Sequence, residues 1–311
     1  MAEVKRPALR YYGAKWNLAP WVIGHFGAHE VYVEPFGGSA AVLLRKERSL
    51  IEVYNDLDLE VVNFFYVLRA FPERLMELVW LTPFALSEFT FAQSCAGSCR
   101  DFLAAVFVPE RPFDWVPYGK DIEKMIEAAR LFYVRSTMGM TGPTAKAGNG
   151  FRRQKVFSRG RHGDKRMTPA SVSFMQVGHL RAAAERLRGV TIENVDAADC
   201  LRRYDGKKTL FYVDPPYPRA LRERSDDGYR HEMNEKGHEA LLGVLKTLEG
   251  QVVVSGYESE LYGDLLRGWG TYRRKARING AGSAVEVLWV NEAAVKARKG
   301  YSSLPLFRGR S

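Results

Sequence analysis

The chain has 311 residues, of which 46% are hydrophobic and 26% are charged. These values are ordinary for a folded protein and exclude wholly disordered and collagen-like chains. Its 46 Lys and Arg outnumber its 36 Asp and Glu, and the net charge of +10 admits a polyanionic partner without requiring one.

The chain lacks the marks of a membrane or disulfide-rich protein. Its longest apolar run, Phe102 to Val108, is far shorter than the ~20 residues of a membrane span. The N-terminal segment has no apolar stretch of the secretory type, and three cysteines cannot form a disulfide framework. We therefore expect a cytoplasmic protein with no membrane partner. We also expect no metal, because Cys95 and Cys99 have the wrong spacing for a zinc site and no histidine nearby.

Predicted strands and helices alternate through most of the chain. Short β-branched and aromatic runs predict strands at Val31–Pro35, Leu50–Tyr54, Val190–Val195, Leu210–Val213 and Gln251–Ser255, and a closing hairpin of Gly270–Arg277 and Ala284–Val290. Helical spacing predicts helices at Ser39–Arg48, Asp58–Arg69, Glu235–Leu248 and Ser259–Arg267. This alternation predicts an α/β fold with a mostly parallel sheet.

The middle of the chain interrupts this alternation. Residues 71–187 show helical patterns and no strand, which predicts a helical insertion within the α/β domain. We therefore expect an α/β domain built from residues 1–70 and 188–295, followed by a basic tail at 296–311.

A basic stretch runs from Arg135 to Arg166 within this insertion. It holds nine Lys and Arg against one acid, and it is rich in glycine, serine and threonine. The stretch is predicted as an irregular loop that is either a solvated surface or a nucleic-acid contact. Its position and charge make the following residues candidates for DNA binding: Arg135, Arg152, Arg153, Gln154, Lys155, Arg159 and Arg161. Arg and Gln can each read a base edge, so Arg152, Arg153 and Gln154 serve either base reading or phosphate binding.

Unusual residues follow three of the predicted strands, at the edge where open parallel sheets bind ligands. Glycines 37 and 38 follow the first strand, where they permit a tight turn or a close approach to a ligand. Asp56 follows the second strand and is a candidate for binding ribose hydroxyls, whereas Asp58 is placed to cap the next helix.

The sequence Asp214-Pro215-Pro216-Tyr217 follows the strand Leu210–Val213. A turn with Asp as its polar residue would explain part of it. Two prolines also fix two φ angles and remove two N–H donors, so the Asp214 carboxylate and the Pro215 carbonyl form a rigid pair of acceptors. Such a pair suits a planar amino group with two hydrogens, and Tyr217 can stack on the heterocycle that carries it.

These motifs, in this order, resemble the Dam-type DNA adenine-N6 methyltransferases. The similar segments are Tyr11 to Lys15, Val33 to Ser39, Asn55-Asp56, Asp214 to Tyr217, Val254 to Tyr257 and Glu286 to Asn291. The resemblance implies a seven-stranded, mostly parallel, Rossmann-like sheet that ends in an antiparallel hairpin, with a target-recognition insertion before the catalytic motif. It departs from the family at Ala14, where a second glycine is common, and in the spacing of its glycine motif.

The resemblance also implies a cofactor, a partner and a set of site residues. The cofactor is S-adenosyl-L-methionine, and the implied contacts are Tyr11, Lys15, Pro35, Phe36, Gly37, Gly38, Ser39, Asp56, Asp196 and Asp214. The catalytic residues are Asp214, Pro215, Pro216 and Tyr217. The reaction is direct methyl transfer to an adenine flipped out of double-stranded DNA, without a covalent enzyme intermediate.

Other functions share parts of this pattern. An RNA adenine-N6 methyltransferase can carry the same catalytic tetrapeptide, and a non-catalytic DNA-binding protein can keep the same scaffold. A cytosine-N4 enzyme usually begins the motif with Ser, so Asp214 speaks against it. The sequence leaves open the recognition sequence, a cognate restriction endonuclease as partner, a bacterial or phage origin, and the choice between monomer and homodimer.

Overall fold

All the predicted strands form, and they join one sheet. The computed structural model describes residues 3–107, 120–140, 142–143, 150–153, 170–218, 230–277 and 283–302. Its strands are β1 (Val31–Glu34), β2 (Ile51–Asn55), β3 (Val190–Glu193), β4 (Thr209–Val213), β5 (Gln251–Tyr257), β6 (Gly270–Arg277) and β7 (Ser283–Val290). They form a seven-stranded sheet in the order β3-β2-β1-β4-β5-β7-β6.

The pairing matches the expected α/β topology. Strands β1 to β5 are parallel to one another, and Val33 of β1 lies opposite Val53 on one side and Phe211 on the other. Strand β7 runs antiparallel to both β5 and β6. The predicted mostly parallel sheet with a terminal antiparallel hairpin is therefore confirmed.

The chain divides into two compact units by its contacts. A sheet unit contains the described residues of Lys15–Leu57, Gly189–Asp226 and His231–Ser311. A helical unit contains the described residues of Met1–Ala14, Asp58–Arg188 and Asp227–Arg230.

In the sheet unit, three helices cover one face of the sheet and share a buried apolar cluster with it. Its helices are α1 (Ala19–Ile23), α9 (Ala197–Arg203), α10 (Glu235–Thr247), α11 (Glu260–Leu265) and α12 (Glu292–Ser302). Leu201 from α9, Leu242 from α10 and Tyr262 from α11 share one buried apolar cluster with strand residues such as Phe211 and Val254. Burial of these side chains supplies the main driving force for packing helices on the sheet.

The helical unit packs around α2 and α6. Its helices are α2 (Leu59–Ala70), α3 (Pro72–Leu81), α4 (Leu86–Ser94), α5 (Ala96–Val106), α6 (Lys120–Met138), α7 (Ala170–Met175) and α8 (Gly178–Leu187). Asp58 is the N-cap of α2, as predicted, because its side chain accepts a hydrogen bond from the Glu60 amide. Helix α2 is buried on nearly all sides, and its Phe64 stacks on Tyr133 of α6.

The division into units differs from the predicted domain boundary. The sequence pattern predicts residues 1–70 as part of the α/β domain, whereas helix α2 and the described residues 3–14 group with the helical unit. The reason is that α2 has its most numerous neighbours in α6, α8 and α5. A helix that is apolar on all faces can pack in either unit, so its sequence pattern does not predict which unit it joins.

The helix predicted over Ser39–Arg48 does not form. The segment forms irregular turns, because Gly38 and Ala40 have positive φ angles of 47° and 53°. A left-handed residue at its start disrupts the regular helical ladder. Instead, the amide of Leu43 donates to the carboxylate of Glu34.

No helix in the described part of the chain is long and apolar enough to cross a membrane.

Candidate active site

Four loops meet the carboxyl edge of the parallel strands. They follow β3, β2, β1 and β4, which are consecutive neighbours in the sheet. Parallel strands end at one edge, so these loops lie side by side. The residues of these loops that are considered as site residues, Gly37, Gly38, Asp56, Asp196 and Asp214, all belong to the sheet unit.

The glycine loop after β1 is bonded to the end of β2. The Gly38 amide donates to Oδ2 of Asp56 over 2.8 Å, and the Gly37 amide donates to the Asn55 carbonyl over 2.8 Å. A Cβ atom at Gly37 would lie 2.2 Å from the Tyr54 ring, so this position excludes any side chain. The two glycine-motif positions are thus explained by a close approach and a tight turn.

Asn55 connects the loops after β1 and β3. Its Nδ2 donates to the carbonyls of Pro35 and Val195, each over 3.0 Å, and its Oδ1 accepts from the Val195 amide over 2.9 Å. The residue is fully buried. Asn55 is not among the site residues predicted from the sequence, where it is only the neighbour of Asp56. Its signal was an amide side chain at the end of a buried strand.

Asp196 begins helix α9 beyond the β3 loop. Its Oδ1 caps the helix by accepting from the Ala198 amide over 2.8 Å, and the residue is exposed. The adenine-side cofactor contact assigned to Asp196 by resemblance stays a prediction.

Asp214 lies directly after β4 and is held at both carboxylate oxygens. Its Oδ1 accepts from the Ser255 hydroxyl over 2.8 Å, and its Oδ2 lies 3.1 Å from Nζ of Lys15. The Asp214 side chain keeps 18% of its surface exposed, whereas the Lys15 side chain keeps 5%. The structure therefore brings together two predicted site residues that are far apart in the sequence.

Tyr217 is buried beside the same lysine. Nζ of Lys15 lies 4.6 Å from the centre of the Tyr217 ring, within the range of a cation–π contact. The ring of Tyr257 meets the Tyr217 ring edge-on at 4.6 Å between centroids. Inside the fold, the Tyr217 hydroxyl donates a hydrogen bond to Oε1 of Glu286.

Glu286 is a site residue that the sequence did not predict. It lies on β7, where it pairs with Tyr257 of β5, and its Oε1 is 3.7 Å from Nζ of Lys15. Burial raises the pKa of its carboxyl group, and the Lys15 ammonium opposes that rise. Its only sequence signal was its membership of the segment Glu286 to Asn291, which resembles the methyltransferase family.

Glu34 is a second buried carboxylate at this edge. Its Oε1 accepts from the Tyr32 hydroxyl over 2.6 Å and from the Leu43 amide over 2.7 Å. Burial raises the pKa of Glu34 to about 7. These bonds hold the turn that follows the glycine loop.

Tyr11 is assigned to the helical unit, whereas the other predicted cofactor residues are assigned to the sheet unit. Its carbonyl accepts from the Ala14 amide over 3.3 Å. Its cofactor contact stays a prediction.

The structure corrects the position of Arg135. The residue belongs to helix α6 and not to an irregular loop, and only 3% of its surface is exposed. Its guanidinium forms an ion pair with Glu60 and donates to the Ala92 carbonyl over 2.9 Å. A buried, paired arginine does not present its charge to phosphates, so Arg135 is withdrawn from the candidate DNA-binding residues.

Arg152 and Arg153 begin the remaining part of the basic stretch. Arg152 is half-buried, and its Nη1 donates to the Thr137 carbonyl over 3.2 Å, whereas Arg153 is exposed. The neighbouring Phe151 packs on Phe84 at 5.2 Å between ring centroids. The other candidates lie outside the described residues: Gln154, Lys155, Arg159 and Arg161.

Within the described residues, no group of three or more His, Cys, Asp or Glu side chains is arranged to hold a metal ion.

Comparison with known families identifies the reaction class. A model of the family described as D12 class N6 adenine-specific DNA methyltransferase matches residues 11–142 and 149–279. No curated protein matches the chain. The family match covers most of both units, including the glycine loop and the tetrapeptide after β4. The chain therefore belongs to the D12 class of N6 adenine-specific DNA methyltransferases.

Proposed function

We propose that the chain transfers the methyl group of S-adenosyl-L-methionine to N6 of an adenine flipped out of a specific site in double-stranded DNA. The observation that carries this proposal is the Asp214 carboxylate at the carboxyl end of β4, where Ser255 and Lys15 hold it next to Pro215 and Tyr217. The reaction class is that of the family to which the chain belongs.

The residues at the edge of the sheet fit the proposed cofactor. Carboxylates follow three of the neighbouring strands, Asp196 after β3, Asp56 after β2 and Asp214 after β4, and the glycine loop follows β1 between them. Ribose hydroxyls, the adenine amino group and the methionine ammonium are hydrogen-bond donors, so a row of acceptors complements them. When bound, S-adenosyl-L-methionine supplies an electrophilic methyl group on a cationic sulfur.

Each of these residues then has an expected role in holding the cofactor. Asp56 would accept from the ribose hydroxyls, Asp196 would lie at the adenine side, and Asp214 would accept from the methionine ammonium. Lys15 and the loop residues would line the rest of the pocket: Pro35, Phe36, Gly37, Gly38 and Ser39. The bond between Gly38 and Asp56 supports this arrangement because it fixes the loop against the proposed ribose ligand.

Asp214 and Pro215 would orient the target amino group. A carboxylate offers about four lone-pair directions, so the bonds from Ser255 and Lys15 leave capacity for an amino hydrogen. A second hydrogen would go to the Pro215 carbonyl. With both hydrogens drawn to acceptors, the nitrogen lone pair leaves conjugation and becomes available for attack, so the residues act by positioning.

Base flipping follows from the chemistry of the target. The amino group of a paired adenine lies inside the stack, so the base must leave the duplex at a cost of a few kcal/mol. Stacking on an aromatic ring such as Tyr217 would offset part of this cost, because it stabilises a base by ~1–3 kcal/mol.

Purified protein offers a direct test. It would be incubated with S-adenosyl-L-methionine and unmethylated plasmid DNA, and the digested nucleosides would be measured by mass spectrometry. We expect N6-methyladenine in the product, and methylation-sensitive sequencing would then give the recognition sequence. N4-methylcytosine as the product, or equal methylation of structured RNA, would contradict the proposal.

Substitution of Asp214 tests the role of the tetrapeptide. We expect Asp214→Ala to abolish methyl transfer while the fold survives, since Lys15 keeps Glu286 as a second partner. Asp264→Ala is the control, because that side chain is 71% exposed on α11, where it pairs with Arg267. Activity of Asp214→Ala within about tenfold of the wild type would contradict a catalytic role, since lost transition-state contacts appear directly in the rate.

A further inference from the structure

Glu286 places a buried carboxylate at the proposed site without a part in the chemistry described above. Its residue surface is 3% exposed, and it lies on the antiparallel strand β7. An ionised carboxylate is costly to bury unless it is paired, and an apolar residue of similar size often stabilises such a position better. Stability is therefore a poor explanation for an acid at this position.

The contacts of Glu286 join two segments that the proposed function requires. Its Oε1 accepts the hydroxyl of Tyr217 and also lies 3.7 Å from Nζ of Lys15. Lys15 in turn lies 3.1 Å from Asp214 and 4.6 Å from the centre of the Tyr217 ring. One ammonium group thus serves two carboxylates and one aromatic ring.

The hydrogen bond restrains the Tyr217 ring at its far end. The backbone before the ring is already restrained, since Pro216 fixes its own φ angle. Without the bond to Glu286, the ring could still rotate about its side-chain torsions. With it, both ends of the side chain are held, so the ring has a defined plane for stacking.

The shared ammonium affects the Asp214 carboxylate as well. Lys15 divides its charge between Asp214 and Glu286, so Asp214 is not neutralised by a full ion pair of its own. A carboxylate that keeps more of its negative charge is a stronger hydrogen-bond acceptor. Removal of Glu286 would leave Lys15 to Asp214 alone.

We propose that Glu286 is a positioning residue for methyl transfer: it fixes the ring of Tyr217 against the target base and restrains Lys15 beside Asp214. This inference rests on the proposed function. It assigns Glu286 no contact with the reacting atoms, and it predicts that its effect passes through Tyr217 and Lys15.

Four variants separate the parts of this proposal. Glu286→Gln keeps an acceptor for the Tyr217 hydroxyl and removes the charge, whereas Glu286→Leu removes both. Tyr217→Phe removes the same hydrogen bond from the other side with the loss of one oxygen, and the fourth variant combines it with Glu286→Leu. Glu52→Gln is the matched control, because Glu52 is a buried acid of the same unit that pairs with Lys46 over 2.6 Å.

Three quantities would be measured for each variant: the midpoint of thermal unfolding, the Kd for S-adenosyl-L-methionine by calorimetry, and the single-turnover rate of plasmid methylation with saturating cofactor. We expect Glu286→Leu to lower the rate roughly 30-fold or more and to raise the Kd by a clearly smaller factor, since misplacement of reacting groups affects the chemical step most. Glu286→Gln should recover much of that rate. Glu52→Gln should lower the unfolding midpoint but keep the wild-type rate.

The double variant decides whether the two residues act together. Since residues of one network show non-additive effects, its rate should be no lower than about that of the slower single variant. Losses that multiply, or a Glu286→Leu rate within about threefold of the wild type, would overturn the inference. If Glu286→Leu does not fold, the variants Tyr217→Phe and Glu286→Gln test the inference in its place. Wild-type methylation rates in both of these variants would overturn the inference. A wild type that leaves adenine unmodified would instead contradict the proposed function.

Discussion

The backbone amide of Gly38 donates a hydrogen bond of 2.8 Å to the carboxylate of Asp56, which lies 18 residues later in the chain. One carboxylate oxygen thereby holds the glycine loop after β1, while the residue remains half-exposed at the end of β2. Asp56 is therefore a structural acceptor for the loop as well as the proposed acceptor for the cofactor ribose. Two substitutions of Asp56 separate these roles.

We expect Asp56→Ala to weaken the binding of S-adenosyl-L-methionine about tenfold or more, since it removes a charged acceptor that contributes about 1.5–3 kcal/mol. Asp56→Asn keeps an oxygen for the Gly38 amide and loses the charge. We expect it to preserve the loop and to bind the cofactor with intermediate affinity. Calorimetry gives both affinities, and unchanged affinity in Asp56→Ala would exclude the ribose role. Plasmid binding without cofactor should change little in either variant.

Gly37→Ala should destabilise the sheet unit. The new Cβ would lie 2.2 Å from the Tyr54 ring, whose hydroxyl donates to the Gly38 carbonyl, so the ring cannot move without breaking that bond. Overpacking of this kind costs about 1–3 kcal/mol. Chemical denaturation would measure the free energy of unfolding, and cofactor affinity should fall with it.

We expect Gly243→Ala to have the opposite effect on stability from Gly37→Ala. Gly243 is exposed within helix α10, and its added Cβ would meet nothing within 4 Å. Alanine has the higher helix propensity, so this variant should be more stable than the wild type by about 0.5–1 kcal/mol. Equal effects of Gly37→Ala and Gly243→Ala would contradict the steric explanation for Gly37.

Local sequence patterns predicted the sheet because its strands are short β-branched and aromatic runs, bounded by turns. The same patterns predicted the Asp58 cap, which depends on neighbouring residues alone. They failed for the Ser39–Arg48 segment, where the positive φ angle of Ala40 lies outside what alanine normally adopts. The contact between Glu34 and Leu43 that accompanies this turn has no local signature.

The polar groups of the site depended on long-range contacts. Tyr217 and Glu286 are 69 residues apart, and Asp214 and Ser255 are 41 apart, so no spacing rule connects them. Arg135 shows the converse error, because its partner Glu60 lies 75 residues earlier. A count of charges in a segment includes Arg135 but gives no information about its distant partner. It therefore cannot show that the arginine is buried and not on the surface.

Glu34 should make the stability of the fold depend on pH. Burial raises its folded-state pKa to about 7, above the ordinary value of 4.5. Between these values the folded state keeps the proton that the unfolded chain releases, so the stabilising contribution is fully present below about pH 4.5 and is lost as the pH rises through 7. The difference corresponds to at most about 3 kcal/mol.

Chemical denaturation of Glu34→Gln at several pH values tests this expectation. The variant should show a flatter decline in the free energy of unfolding between about pH 5 and 8 than the wild type. Glu258→Gln is the control, because Glu258 is a surface acid that pairs with Arg273 and should leave that slope unchanged. Parallel curves for the wild type and Glu34→Gln would show that Glu34 does not titrate in this range.

The last prediction compares Arg152 with Arg153 in DNA binding. Arg152 is half-buried and donates to the Thr137 carbonyl, and burial lowers its pKa, whereas Arg153 is exposed. We expect Arg153→Ala to weaken DNA binding, because its guanidinium is the one presented to solvent. If it contacts a phosphate, the affinity should fall equally on cognate and scrambled duplexes, and the salt slope should drop by about 0.9.

If Arg153 reads a base instead, the variant should lose ~1–3 kcal/mol on the cognate duplex alone, with relaxed preference at one position. Arg152→Ala should act mainly on folding, since its removal leaves the Thr137 carbonyl without this donor and opens packing next to Phe151. Binding isotherms on both duplexes at several salt concentrations, together with unfolding curves, distinguish these outcomes. Unchanged DNA affinity in Arg153→Ala would exclude this residue from the interface. The recognition surface would then have to include other positions of the helical unit.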